Sequence, residues 1–180
     1  MKLITDHEVA IWVARRGIEK RERKLMFSNP HGPWIVFESP VSAKERIALC
    51  EDLRLLGNSN ESASHLLWIS TWRIWSDWFD DFGEFMVDHL RGQPGAVMPL
   101  SEKSGHILGR NDAMLATAIL WQTLLFNWDA YLVPESGEHI VECSHDELVW
   151  VMCKTDEAHE QALTDLSRWK PRTREFIVAK

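Results

Sequence analysis

Aromatic and acidic side chains lie side by side over residues 75–81, and their types and spacing suggest ligand binding or acid–base catalysis. Carboxylates beside aromatic rings suit sugar recognition, and a carboxylate pair can cleave a glycosidic bond. The candidate binding residues are Trp75, Asp77, Trp78, Asp80 and Asp81. Acidic residues also recur at helical spacing through Asp88, which is typical of a solvated helix face. We favour the solvated face and keep the five residues as binding candidates.

A second cluster, Ser144-His145-Asp146-Glu147, contains the residue types of a catalytic triad. A triad needs its histidine between the other two side chains in space, and separate segments usually supply them. Serine followed three residues later by glutamate is a capping box, which accounts for Ser144 and Glu147 without catalysis. We predict no catalytic residue here.

The candidates for a metal site are His139, Cys143 and His145, with Cys153 as a further thiol. His139 and Cys143 would share one face of a strand, but their spacing matches no common zinc-ligand pattern. The sequence also lacks a Gly-rich phosphate loop, a nucleophile elbow and a paired zinc-histidine motif. We therefore predict no metal and no cofactor, and the balance is against an enzyme.

Length and composition fit one domain over residues 1–180. Hydrophobic residues make up 45% of the chain, and its three cysteines form no compact pattern. Asp6 and Glu8 lie where a signal peptide would need an apolar core. The apolar run over residues 113–126 is shorter than the roughly 20 residues of a membrane span. We expect a cytoplasmic protein that does not bind membranes.

The net charge of −7 is unevenly distributed. Residues 25–167 contain 22 acidic against 8 basic residues, a net charge of −14, whereas both ends are basic. Such a body repels phosphate backbones, so we predict no nucleic-acid binding. A basic protein partner is easier to accommodate, although acidity can also serve solubility alone.

Helix signals are the clearest local features. Capping boxes predict helices that begin after Thr5, Ser42 and Ser144. Apolar periodicity predicts two more, over residues 113–126 and about 156–170.

Strand signals are shorter. Apolar runs predict strands over residues 34–37 and 105–109, and alternation on both sides of Ser136-Gly137 predicts a β-hairpin over residues 128–143. Residues 15–24 carry charges of both signs and are interpreted as surface. Residues 171–180 are expected to form a basic tail that is either strand-like or disordered.

Residues 65–78 hold four of the ten tryptophans and support two interpretations. As a strand, this segment would be apolar on both faces, as in the interior of a sheet. As a helix, its aromatic residues would continue a spacing of four and three as far as Met86. Ile69 and Thr71 are β-branched, and Ser76 can cap a helix, so we predict a strand to about residue 74 and a helix over 77–91.

These elements predict an α/β fold, with α+β as the alternative. We expect a single-domain sandwich with a four- to five-stranded mixed sheet that includes the C-terminal β-hairpin, covered by about six helices.

Three short segments, LWISTW over 67–72, NWDAYLVP over 127–134 and SHDE over 144–147, resemble a group of uncharacterised bacterial single-domain proteins. The likeness covers residues 34–153. It implies a single bacterial-type domain, and it implies no function and no site.

Two classes of function follow from these features. The first is a protein-interaction domain of the immunity or inhibitor type, which would bind a basic partner through an acidic, tryptophan-rich surface. The alternative is a carbohydrate-type ligand-binding protein or hydrolase, with a pocket near residues 75–81 and the loop over 92–105. A homodimer with tryptophans at its interface is a further expectation.

Overall fold

The computed structural model describes residues 1–28, 32–57, 64–75, 77–92 and 99–173. Within these residues the α-helices are α1 (Asp6–Ala14), α2 (Ala43–Leu55), α3 (Asp77–Arg91), α4 (Ala113–Leu125) and α5 (Asp156–Asp165). The strands are β1 (Lys2–Ile4), β2 (Ile18–Arg21), β3 (Lys24–Phe27), β4 (Trp34–Glu38), β5 (His65–Thr71), β6 (Gly105–Leu108), β7 (Asp129–Pro134), β8 (His139–Cys143), β9 (Leu148–Cys153) and β10 (Arg172–Thr173).

One large antiparallel sheet organises the fold. Its strand order is β1-β6-β5-β7-β8-β9-β4-β10, with the two-residue β10 added to seven longer strands. All of these neighbours pair antiparallel, and β2 and β3 form a separate hairpin. The predicted α/β fold with a mixed sheet of four to five strands and about six helices is therefore wrong. The described residues form an α+β fold with a larger sheet and five α-helices.

In the segment after Ser144, the sequence predicted a helix where the structure has a strand. Ser144 and Glu147 lie in a turn, in which the Glu147 amide donates to the Ser144 carbonyl over 3.1 Å. Glu147 has a positive φ of 61°, which a helix cannot contain. The chain continues as β9, whose Val149 and Val151 are buried while Trp150 faces the opposite side. Alternation and β-branched residues outweigh the capping-box pattern here.

The charged segment over residues 15–24 contains another missed strand. Ile18 of β2 lies opposite Phe27 of β3, and both side chains are buried. Most positions between Ile18 and Phe27 are lysine, arginine or glutamate. The period-two alternation of these strands therefore contains too few apolar residues to be detected in the sequence.

Several local predictions are confirmed. Thr5 and Glu8 form a complete capping box at the start of α1, and the Ser42 hydroxyl accepts the Glu45 amide at the start of α2. The strand predicted to run to about residue 74 is β5, which ends at Thr71. Helix α3 has the bounds that the sequence predicted. The predicted β-hairpin is β7 and β8. Of the predicted tail, residues 174–180 lie outside the described part.

Different elements cover the two faces of the sheet. Helices α2, α4 and α5 supply buried residues over one face, including Leu49, Ile119 and Ala162. Over the other face, α1 and the β2–β3 hairpin cover Trp68 and Tyr131. Among the described helices, none has the length and apolar composition needed to cross a bilayer.

Candidate functional site

Four large aromatic side chains are exposed at the start of α3, three of them on the helix and one two residues before it. Trp75 is 56% exposed, Trp78 74%, Phe82 53% and Phe85 64%. Positions 78, 82 and 85 are spaced by four and three residues, so they form one stripe along the helix. Trp75 reaches the same surface, because its indole Nε1 donates to the Phe126 carbonyl over 3.0 Å and the Phe82 ring lies 6.2 Å from that of Phe126. We call these four residues the aromatic face.

Asp80 lies beneath the aromatic face and is only 1% exposed. One carboxylate oxygen accepts the Trp75 backbone N–H over 2.8 Å, and the other accepts the buried Trp128 Nε1–H over 2.9 Å. A carboxylate with two such donors fixes the chain just before the helix. Asp80 therefore positions Trp75. Its carboxylate oxygens are not exposed to solvent, so they are not accessible to a ligand.

Gly83 allows α3 to lie close to the sheet. A β-carbon at this position would lie 2.7 Å from Cζ2 of Trp128 and 3.0 Å from Cγ of Phe126. Since side-chain carbons do not approach so closely, the absence of a side chain lets α3 rest on these two rings. The same contact turns the stripe of Trp78, Phe82 and Phe85 outward.

Carboxylates surround the aromatic face. Asp81 and Glu84 both lie 3.3 Å from the Arg73 guanidinium, and Asp88 lies 2.8 Å from Arg91. Residues 73–91 contain five acidic and two basic residues, so this segment has a net charge of −3. The side chain of the fifth binding candidate, Asp77, lies outside the described part.

A polar cleft of about 770 Å³ opens at the carboxyl end of β5. Trp72 and Ser70 form one wall, and Asp6, Glu22, Arg73 and Glu84 contribute charges. At its floor, the Trp68 Nε1–H donates to the Ser104 hydroxyl over 3.1 Å. We call this the β5 cleft. Ser101 and Ser104 of the predicted loop line this cleft, but none of the described residues over 75–81 does, so its position matches the alternative hypothesis only at the loop. Residues 93–98 of that loop lie outside the described part.

The three metal candidates do not converge on one point. His139 is buried, with Nε2 3.0 Å from the Ala158 carbonyl, and Cys143 is buried on the same side of β8. His145 lies in the turn after β8, with Nδ1 2.7 Å from Asp129. Among the described residues, no three His, Cys, Asp or Glu side chains form a group suited to a metal ion.

The hydrogen bond to Asp129 raises the pKa of His145, and the nearby carboxylates of Asp129 and Asp146 act in the same direction. This histidine and aspartate form a pair without a serine, because the Ser144 hydroxyl accepts the Asp146 amide in the turn. The arrangement stabilises the turn between β8 and β9.

Phe82 and Phe85 are the members of the aromatic face that the sequence prediction missed. Helix α3 carries apolar side chains on two sides: Phe79 and Met86 are half-buried, whereas Phe82 and Phe85 are exposed. The side of the helix that contacts the sheet is marked by Asp80, Gly83 and Val87, which are spaced by three and four residues. Because two of these three residues are not apolar, the sequence pattern does not separate the inner aromatic residues from the outer ones.

Comparison with protein-family models, with curated proteins and with solved structures finds no match to this chain. The resemblance to uncharacterised bacterial proteins stays a prediction, and function has to be argued from the geometry.

Proposed function

We propose that this protein is a protein-interaction domain that binds a basic partner through the aromatic face of α3. The observation that carries the proposal is the exposure of Trp75, Trp78, Phe82 and Phe85, three of them in one stripe along α3 and the fourth just before that helix. Single exposed apolar residues are ordinary, but adjoining aromatic rings on one helix are typical of a docking site. Tryptophan is also among the residues that contribute most to interfaces.

The size of the aromatic face is sufficient for specific binding. Burial of about 100 Å² on each of four rings would contribute on the order of 10 kcal/mol at about 25 cal/mol per Å². Association costs roughly 4–15 kcal/mol in lost motion, so additional polar contacts would determine the final affinity. The two hydrogen bonds to Asp80 hold Trp75 in place before binding, which reduces the cost of ordering it.

Charge favours a basic partner over a second copy of this chain. The segment over residues 73–91 has a net charge of −3, and residues 25–167 together have −14. Two copies docked through α3 would bring like charges together, which costs free energy, whereas lysine and arginine side chains around an apolar centre would complement this surface. We thus infer a partner with an apolar patch ringed by basic residues.

A capture experiment with matched variants tests this function. The double variant Phe82→Glu/Phe85→Glu removes two of the three rings of the stripe, and the control Met114→Glu places one negative charge on an 88% exposed side chain of α4. Wild type and Met114→Glu should retain one specific partner from native lysate, the double variant should lose it, and binding should weaken between about 50 and 300 mM salt.

Two results would contradict the proposal. A partner that binds all three proteins equally would show that the aromatic face is not its site. Sedimentation that shows a wild-type dimer, dissociated by the double variant, would assign the aromatic face to self-association instead. Circular dichroism of each variant separates loss of binding from loss of folding.

The β5 cleft supports a second candidate function, carbohydrate binding or hydrolysis. The specific observation is a tryptophan wall that faces hydroxyl, carboxylate and guanidinium groups within one cleft of about 770 Å³. We propose a thermal-shift screen with neutral mono- and disaccharides, because a ligand that binds only the folded state raises the melting temperature. A shift that persists in Trp72→Ala would exclude this cleft as the site.

A further inference from the structure

A groove on the sheet face that the β2–β3 hairpin covers shares none of its described lining residues with the aromatic face or the β5 cleft. On this face the rings of Trp34 on β4 and Trp150 on β9 are only half-buried. Between them and the hairpin lies a cavity of about 270 Å³, lined also by Met26, Met152 and Glu142. We call it the Glu142 groove.

Glu142 is unusual in these surroundings. Among the lining residues that the structure describes, it alone carries a charge. The register places it between Tyr131 on β7 and Trp150 on β9. Burying a carboxylate among aromatic and thioether side chains costs free energy unless an opposite charge accompanies it. Within the described part of the chain, Glu142 forms no ion pair inside 4 Å.

We propose that the Glu142 groove binds a small organic cation with one flat apolar ring, an aryl-alkyl amine, whose ammonium group pairs with the Glu142 carboxylate. The Trp34 and Trp150 rings are 5.0 Å apart with their planes inclined at 56°, so they form an open corner for a third ring. Indole rings pack against the ring of the ligand, and the two methionine side chains adapt to the shape of an apolar ligand.

The dimensions of the groove limit the class of ligand. Pockets for drug-sized molecules begin near about 300 Å³, so this groove suits a single ring with a short chain. A neutral ligand of the same shape would gain the ring contacts and leave the carboxylate unpaired. An anion would be repelled.

The groups around Glu142 determine how binding depends on pH. Burial raises the pKa of Glu142, although the hydrogen bond from Tyr131 and the charges of Lys24 on β3 and His145 oppose this effect. Asp129 on β7 raises it further. The amine pairs with the ionised carboxylate, so its affinity should fall as the pH drops through this raised pKa.

Calorimetric titration with 2-phenylethylamine and with 2-phenylethanol tests the inference. The two probes have the same ring and chain length, and at pH 7.5–8 only the first carries a charge. The amine should bind at least about tenfold more tightly, which is the smallest effect expected of a charge-assisted hydrogen bond. Glu142→Gln should abolish this preference, while Glu138→Gln, at an exposed position just before the same strand, should leave it intact.

Trp150→Leu separates the ring contacts from the charge. This variant should weaken both probes by a similar factor and preserve the preference for the amine. Equal affinities for amine and alcohol in the wild type, or no heat with either probe, would overturn the proposal. Loss of the preference in Glu138→Gln would also overturn it. These variants leave the aromatic face intact, so their results are independent of the proposed partner binding.

Discussion

Replacing Asp80 with alanine should destabilise the protein more than any other single carboxylate change on α3. The substitution removes the acceptor of two hydrogen bonds, at 2.8 Å from the Trp75 amide and 2.9 Å from Trp128 Nε1. Trp128 is fully buried, so its N–H would lose its partner without access to water, at a cost of about 1–3 kcal/mol. Trp75 is half exposed and water can replace part of its bond, so we expect a total of about 2–4 kcal/mol.

The neighbouring residue provides a matched control. Asp81 is exposed and pairs with Arg73 at 3.3 Å, so Asp81→Ala should cost less than about 1 kcal/mol. Urea denaturation followed by tryptophan fluorescence measures both variants, and for a chain of this length the Asp80→Ala loss corresponds to about 4–16 °C in melting temperature.

A double-mutant cycle locates the effect. Trp128→Phe removes the indole donor, so Asp80→Ala should cost about 1–3 kcal/mol less in that background than in the wild type. Equal costs for Asp80→Ala and Asp81→Ala, or strict additivity with Trp128→Phe, would refute the assignment of Asp80 as the anchor of the aromatic face.

Three further predictions concern other parts of the fold. Asp129→Asn should lower the pKa of His145, as measured by NMR titration. Because the pKa of His145 is raised in the folded protein, its pair with Asp129 stabilises the protein below about pH 6.5. This contribution, under about 1 kcal/mol, is lost as the pH rises through the folded pKa. A side chain at Gly83 would meet Trp128 at 2.7 Å, so Gly83→Ala should lower the melting temperature, since overpacking costs about 1–3 kcal/mol and the gain in helix propensity is only about 1 kcal/mol. Burial raises the pKa of all three buried thiols, so a thiol reagent should react with none of them in the native protein and with all three in urea: Cys50, Cys143 and Cys153. Rapid labelling of the native protein would contradict this assignment.

The sequence predicted those elements whose signals lie within a few residues. The Thr5 capping box and the change from β5 to α3 belong to this class, because caps and β-branched runs act locally. The Ser144 box failed for a tertiary reason, since Leu148–Cys153 pairs with β8 on one side and with β4 on the other, and a helix would leave one edge of each of these strands unpaired. No local pattern reports such pairing.

Only part of the candidate site could be predicted from the sequence. Trp75 and Trp78 could be placed at the exit of the central strand, and both are exposed there. The burial of Asp80 could not be assigned from its residue type, because aspartate is rarely buried without partners, and its partners Trp75 and Trp128 lie on different elements. The Glu142 groove could not be predicted for the same reason, since only the strand order places Glu142 beside Trp150.

The pairing of β4 with β9 has a consequence during synthesis. Residues 34–38 leave the ribosome early, yet their hydrogen-bonding partners are residues 148–152. At about 5–20 residues per second, that delay lasts on the order of 5–20 s. For this time the apolar segment WIVF has no strand beside it, and an unpaired edge of this kind invites association between nascent chains. Folding yield in the cell should therefore respond to the rate of translation and to chaperones that bind extended apolar segments.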